Sequence, residues 1–329
     1  MTPRKATFIA ARVVLLALFA GGIWLWAVYG SYGYGVLLRR GGSYWAMMAP
    51  DDPRLSPAMR EALRQPVPPT MAGTVQWKTL EPGFEAGELP VLAGGHEVDR
   101  ILLARVDPAR YRFTVRNNDG LGKGIDQWEA ALPQALLIVN ASYYDLKGRP
   151  DTPILSNGKA MGPASYDARA GAFVSADGTA GIADLTHRNW QLAFAGARDA
   201  MISYPLLIGE DGKSHVPTRT RWLANRSFIG RARDGRIVIG TTREAFFSLD
   251  RLADFLIAAP LDLKLALNLD GGPIACQSVR APGFHRKLYA RWEAQVTGEQ
   301  VKLLRWPFAS ATWAMPMVLT VERRQRGVQ

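Results

Sequence analysis

The sequence predicts a largely antiparallel β protein with a few helices, carried behind one apolar N-terminal span. Three observations carry that prediction. Turn dipeptides recur between short apolar runs, few stretches hold a helical period, and residues 13–29 contain no charge. With 329 residues and 48% hydrophobic side chains, the chain can bury a sizeable core.

The span comes first. Arg4, Lys5 and Arg12 precede VVLLALFAGGIWLWAVY, Val13 to Tyr29, which lies near the short limit for crossing a bilayer. Trp24, Trp26 and Tyr29 resemble an interfacial anchor, and no convincing small-x-small cleavage site follows the apolar run. Residues 1–30 therefore read as an uncleaved signal anchor rather than a cleaved signal peptide. The basic residues before it place the rest of the chain on the extracytoplasmic, periplasmic side of a membrane, although Arg39 and Arg40 argue the other way. Residues 31–72 read as a linker, with the glycine- and tyrosine-rich YGSYGYG, then Pro66, Pro68 and Pro69, and room for a short helix in DPRLSPAMREALRQ. The globular domain is expected over residues 73–329.

Its elements follow in order. VDRILLARVDPARYRFTVR reads as a hairpin about Asp107-Pro108, and ALLIVN, Ala135 to Asn140, as a buried strand. Asn157-Gly158, Asp177-Gly178, Asp211-Gly212 and Asp234-Gly235 mark further hairpins, because these residues tolerate positive φ. A short helix is expected near Gly124–Leu132. A longer one starts at Ser248, sets Leu249, Leu252, Ala253 and Leu256 on one face, and stops at Pro260.

The last of these strands, LDLKLALNLD, alternates along its length. Asn268 and Asp270 thus share a face at its carboxyl end, and Gly271 and Gly272 allow a sharp turn or a close ligand. Either Asp270 serves that ligand or it caps its own turn. LLIVNASYYDLKGRP poses the same question. A strand ending in Asn140 and followed by Tyr143, Tyr144 and Asp145 furnishes a sugar cleft, or it is a hairpin with core tyrosines.

Composition narrows the partners. A net charge of +11 favours anionic ligands, but the charge is scattered and no RNA-binding aromatic signature accompanies it, so nucleic acid is not expected. Cys276 is the only cysteine and reads as a small buried residue. His96, His187, His215 and His285 lie too far apart in sequence for a zinc-hydrolase pair, and no metal or cofactor is expected.

Several motifs together resemble a known family. VNASYYDLKGRPDTPILSNGK looks like an Asn-Gly-Gly-Phe-Phe turn followed by a loop, a short strand and an Asn-Gly-Lys hairpin. ALNLDGGPIA is similar to Asn-Leu-Asp-Gly-Gly-Gly-Ser, SYPLLIGEDGK to a Gly-Pro-x-Leu-Val strand, RSFIGRARDGRIVIG to an Arg-Thr-Ala-Ile-Gly strand, and RVDPARYRFTV to an early Asp-Pro hairpin. In that order they resemble the phosphodiester glycosidase domain family, which includes the lysosomal enzyme that removes N-acetylglucosamine from a phosphate on mannose. The resemblance covers roughly residues 73–320.

It implies an α+β fold with a curved mixed sheet and a cleft joining the two motif turns. It also implies a site of Asn140, Arg226, Asn268, Asp270, Gly271 and Gly272, with Tyr144 and Tyr204 as lesser members. The implied activity is hydrolysis of a glycosyl phosphodiester, which the N-terminal span would tether to a membrane. The phosphate of such a diester leaves as an anion without protonation, so one carboxylate, Asp270, can suffice as nucleophile or base. Arg226 would grip the phosphate, and Asn140 and Asn268 would hold sugar hydroxyls or water. Glu244 is a further candidate carboxylate. The chain departs from the family pattern at Ala141 and Ser142, at Tyr143 and Tyr144, at Tyr204, and at Pro273 and Ile274. Those departures keep a second function open: a non-catalytic protein binding an anionic cell-surface polymer during envelope or exopolysaccharide assembly.

Overall fold

The computed structural model describes residues 11–24, 45–118, 122–145, 147–166, 170–290, 293–304 and 313–324. Two antiparallel sheets form its centre. The larger curls into a half-barrel in the order Leu206–Ile208, Leu263–Asn268, Ser227–Ala232, Ile237–Thr242, His96–Val106, Phe84–Ala93, Thr70–Ala72, with Lys78–Glu81 paired to Phe84–Ala93. The smaller runs Phe284–Tyr289, Cys276–Ala281, Ala135–Asn140, Met317–Arg323, Tyr111–Asn117. Two further sheets, of five and four strands, complete the described fold.

Alternation along the central strands explains the layering. In His96–Val106, Leu102, Ala104 and Val106 meet Phe113, Val115, Leu137, Val139 and Leu319 of the smaller sheet in one core. Ile101 and Leu103 face the opposite way, into a second core with helices Pro57–Leu63 and Leu249–Ala258. Strands buried on both faces carry apolar side chains at successive positions, as here. Helix Ile125–Ala131 covers the outer face of the smaller sheet, with Ile125 and Trp128 packed against Ile138 and Val318.

That helix is docked by charge as well as by apolar contact. Ser278 Oγ donates to Glu129 Oε1, His285 Nε2 lies 2.8 Å from the same oxygen, and Lys287 Nζ sits 2.7 Å from Oε2. Burial alone would raise the Glu129 carboxyl, but the bonds from Lys287, Ser278 and His285 outweigh it and hold the group at about 2. A depressed folded-state value stabilises fully above the unfolded carboxylate value, and the gain is lost as pH falls toward the folded one. Wild type is therefore expected to lose melting temperature between about pH 5 and pH 2 more steeply than Glu129→Gln, while the variant melts lower at pH 7. Thermal unfolding followed across that range checks both. Parallel curves would remove Glu129 from the acid response.

Every strand pairing among the described residues is antiparallel, so the mixed sheet expected from the family resemblance is corrected. The reason lies in the Leu249–Ala258 crossover. It joins Ile237–Thr242 to Leu263–Asn268, but Ser227–Ala232 lies between those two strands and pairs antiparallel with both. Hairpins form as expected at Asn157-Gly158, Asp177-Gly178 and Asp234-Gly235. Asp107-Pro108 is instead a corner, since His96–Val106 pairs in the larger sheet and Tyr111–Asn117 pairs with Met317–Arg323 in the smaller. Asp211-Gly212 closes a turn, with Gly209 N bonded to Lys213 O at 2.9 Å, but no strand returns from it.

Part of the expected linker is packed onto the domain. Trp45–Met48 pairs with Gln300–Leu304, and Leu55, Met59, Ala62 and Leu63 are buried. Ser56 caps the intervening helix by accepting from Met59 N at 3.2 Å. Residues 31–44, with Trp26 and Tyr29 of the expected anchor, lie outside the described residues. Residues 11–24 are helical and expose Leu15, Leu16, Leu18 and Phe19. No described helix is long and apolar enough to cross a membrane.

Candidate functional site

The chain passes from the larger sheet to the smaller between Asn268 and Cys276, so LDGGPIA is the crossing itself. The backbone there has few choices. Gly271 sits where a Cβ would lie 3.1 Å from Asn225 O and 3.3 Å from Arg226 Nη1. Gly272 has φ +71°, and a Cβ on it would lie 2.5 Å from Glu293 Oε2. Gly272 is thus demanded by its surroundings, and a side chain at Gly271 would be tightly placed. Gly272→Ala is expected to destabilise by about 1–3 kcal/mol through strain and overpacking. The denaturant midpoint checks this. An unchanged midpoint would mean that the turn relaxes freely.

Asn140 locks this crossing. It is wholly buried, its Nδ2 donates to Asp270 O at 2.6 Å, and its Oδ1 accepts from Ser227 Oγ at 2.7 Å and Cys276 N at 3.2 Å. One side chain thereby ties the end of its own strand, the neighbouring sheet and both ends of the turn. The two motif turns do meet in space, but the Asn140 amide is spent on Asp270 O, Ser227 Oγ and Cys276 N and does not face the Asp270 carboxylate across a groove.

Asp270 is half-buried, and its Oδ1 accepts from Gly271 N at 2.8 Å. Arg226, just before strand Ser227–Ala232, is buried beside it. Its Nη2 donates to Trp222 O at 2.7 Å and its Nε to Phe247 O at 3.3 Å, which leaves Nη1 on the Gly271 side. Burial lowers the guanidinium pKa, while Tyr143, Glu293, Asp270 and Asp250 raise it, so a positive charge is held in a largely desolvated place.

Tyrosines form the adjoining wall. The Tyr143 and Tyr204 rings stack at 4.1 Å and 17°. Asn268 Nδ2 donates to Tyr143 Oη at 2.8 Å and to Tyr204 O at 3.0 Å, and Tyr143 Oη donates to Tyr204 O at 2.8 Å. Burial pushes the Tyr143 phenol well above its usual value, and Asp270 and Tyr204 add to it, so the hydroxyl stays protonated. Burial and Asp270 also raise Tyr204, which is 39% exposed and forms the outer lip. Asn268 Oδ1 is buried and accepts no hydrogen bond among the described residues. An unpaired buried acceptor costs roughly 1–3 kcal/mol, which a ligand or water donor would recover.

Asn268, Asp270, Gly271, Gly272, Arg226 and Tyr204 are therefore brought together, with Asn140 behind them. Tyr144 is not part of the wall, because it packs between two hydrophobic cores and bridges to Pro150. Glu244 bonds through its N–H to Asp99 Oδ1 at 2.8 Å and lines a different cavity, with Arg54, Lys287 and Tyr289. The second carboxylate at the turn is Glu293, buried, with Oε1 accepting from Trp222 Nε1 at 3.0 Å. Its sequence neighbourhood reads only as an ordinary hairpin strand, and contact with Gly272 is what marks it. Cys276 is buried and its thiol pushed up to about 11 by burial. No group of three or more His, Cys, Asp or Glu side chains among the described residues is placed to hold a metal ion.

The fold and this constellation define a class: an antiparallel double-sheet scaffold with a carboxylate and a buried arginine where the chain crosses between sheets. Residues 133–282, which run from just before strand Ala135–Asn140 to just past strand Cys276–Ala281, match the family model for phosphodiester glycosidase. The chain is similar in structure to the zebrafish N-acetylglucosamine-1-phosphodiester alpha-N-acetylglucosaminidase catalytic domain, solved auto-inhibited by its pro-peptide, with TM-score 0.52 and 13% identity over 78% of this chain and 89% of that one. A hypothetical protein from Synechocystis aligns at TM-score 0.47 and 13% identity, over 77% of this chain and 64% of that one. At such identity the zebrafish likeness establishes the fold. No curated protein matches the chain in sequence.

Proposed function

We propose that the protein is a membrane-tethered, extracytoplasmic hydrolase of glycosyl phosphodiesters. The observation that carries the reading is the half-buried Asp270 carboxylate set against the buried Arg226 guanidinium, within the segment matched by the phosphodiester glycosidase family. In this reading Arg226 Nη1 meets the phosphate, and Asp270 is the base that activates water. The water oxygen bonds to the anomeric carbon, the bond from that carbon to the phosphate oxygen breaks with its electron pair on phosphate, and the water proton passes to Asp270. The phosphomonoester leaves without an acid. Tyr143, Tyr204 and Asn268 supply a stacking platform and an acceptor for the sugar, while Asn140 positions the turn.

The tether is the uncharged run Val13–Tyr29. The helical geometry of residues 11–24 and their exposed apolar side chains support it. The full chain incubated with a panel of sugar-1-phosphodiesters should release reducing sugar. Saturable binding of an anionic glycan with no release would instead support the non-catalytic binder.

A further inference from the structure

Tyr204 serves two spaces. Its ring stacks on Tyr143 at the Asp270 site, and it also lines a cavity of about 640 Å³ with Pro205, Leu206, Val216, Pro217 and Leu249. That volume is typical of a small-molecule site. No lysine, arginine or carboxylate is among the described residues that line it. Its one histidine, His215, is already engaged at both ring nitrogens, with Asp211 Oδ1 3.0 Å from Nε2 and Thr186 Oγ1 3.3 Å from Nδ1. Tyr204 therefore borders both the Asp270 site and a mostly apolar cavity, whose polar lining besides His215 and Tyr204 is the hydroxyls of Thr186, Ser214, Thr218 and Thr220. A ligand that spans both has an anion at one end and hydrocarbon at the other.

We infer that this cavity receives the apolar alcohol of the leaving group, so that the substrates are sugar-1-phosphates esterified to a lipid-like alcohol. The inference rests on the hydrolase reading above and names its substrate class. Hydrolysis of such a diester gives the free sugar and the alkyl phosphate, with Arg226 on the phosphate and the chain beyond Tyr204. The exposed apolar side chains of residues 11–24 fit the same picture, since a tether that enters lipid keeps the site near alcohols that partition there.

The test compares two diesters of N-acetylglucosamine-1-phosphate, one with octanol and one with ethylene glycol, using the full chain. Each methylene withdrawn from water is worth roughly fourfold in binding, so kcat/KM for the octyl diester should exceed that for the hydroxyethyl diester at least tenfold. Thr218 lines the cavity, is exposed, and lies outside the Asp270 site. Thr218→Trp should cut the octyl rate at least tenfold and leave the hydroxyethyl rate within twofold. Equal rates for the two diesters in wild type, or equal losses in the variant, would overturn the inference. If neither diester is cleaved, the hydrolase reading falls, and calorimetry with octyl phosphate and hydroxyethyl phosphate decides the cavity separately. Tighter binding of octyl phosphate, weakened by Thr218→Trp, would keep the apolar site, whereas equal binding would remove it.

Discussion

Asp270→Asn is expected to lower kcat by roughly 10²–10⁴-fold, the range associated with losing a positioned base, with the fold intact. The backbone around it is fixed independently of the carboxylate. Asn140 Nδ2 holds its carbonyl at 2.6 Å, and its own N–H donates to Ala141 O at 3.1 Å. The bond from Gly271 N to Oδ1 at 2.8 Å survives in the amide, because asparagine keeps an acceptor oxygen there. What disappears is the negative charge beside Arg226 and the ability to take a proton. Steady-state rates, with binding of the phosphomonoester product as a control, distinguish the outcomes. Near wild-type kcat would remove Asp270 from the chemistry.

Arg226→Met is expected to do two kinds of damage. Trp222 O and Phe247 O lose a donor, and Glu293, Asp270 and Asp250 lose the cation that offsets them. Removing one member of such a buried charged cluster typically costs about 3–5 kcal/mol, so the denaturant midpoint should fall markedly. Activity should fall with it. Arg226→Lys separates the two effects. It keeps the charge but has no planar fork to hold both carbonyls and still present a third nitrogen to phosphate. The lysine variant should therefore fold better than the methionine variant while KM stays high. Wild-type KM in Arg226→Lys would mean that phosphate is not gripped there.

Much of this scaffold is written locally. Ala135–Asn140 appears as a strand because its apolar run is short and uninterrupted, and Asn157-Gly158 as a hairpin because both residues take positive φ, +49° and +80°. Asn268 and Asp270 were legible as a pair at a strand end, since alternation and two glycines are properties of neighbouring residues. Features that depend on distant partners were not. Tyr111–Asn117 follows an Asp-Pro turn that looks like any hairpin, yet its partner is Met317–Arg323 at the far end of the chain. The amphipathic stretch around Met59 reads as a linker helix until the core that receives it is known. Asn140 was marked as a site residue by its position, but its role as a staple between sheets depends on Ser227 and Cys276, which no local pattern ties to it. Glu293 is illegible for the same reason, since only its approach to Gly272 marks it.

The proposed hydrolase requires cleavage at the sugar carbon by water placed at Asp270. Hydrolysis of an N-acetylglucosamine-1-phosphodiester by the full chain in ¹⁸O-enriched water tests this most directly. Heavy oxygen is predicted in the anomeric hydroxyl of the released sugar and none in the phosphomonoester. Heavy oxygen in the phosphate would contradict it, as would a folded protein that releases no sugar from any such diester.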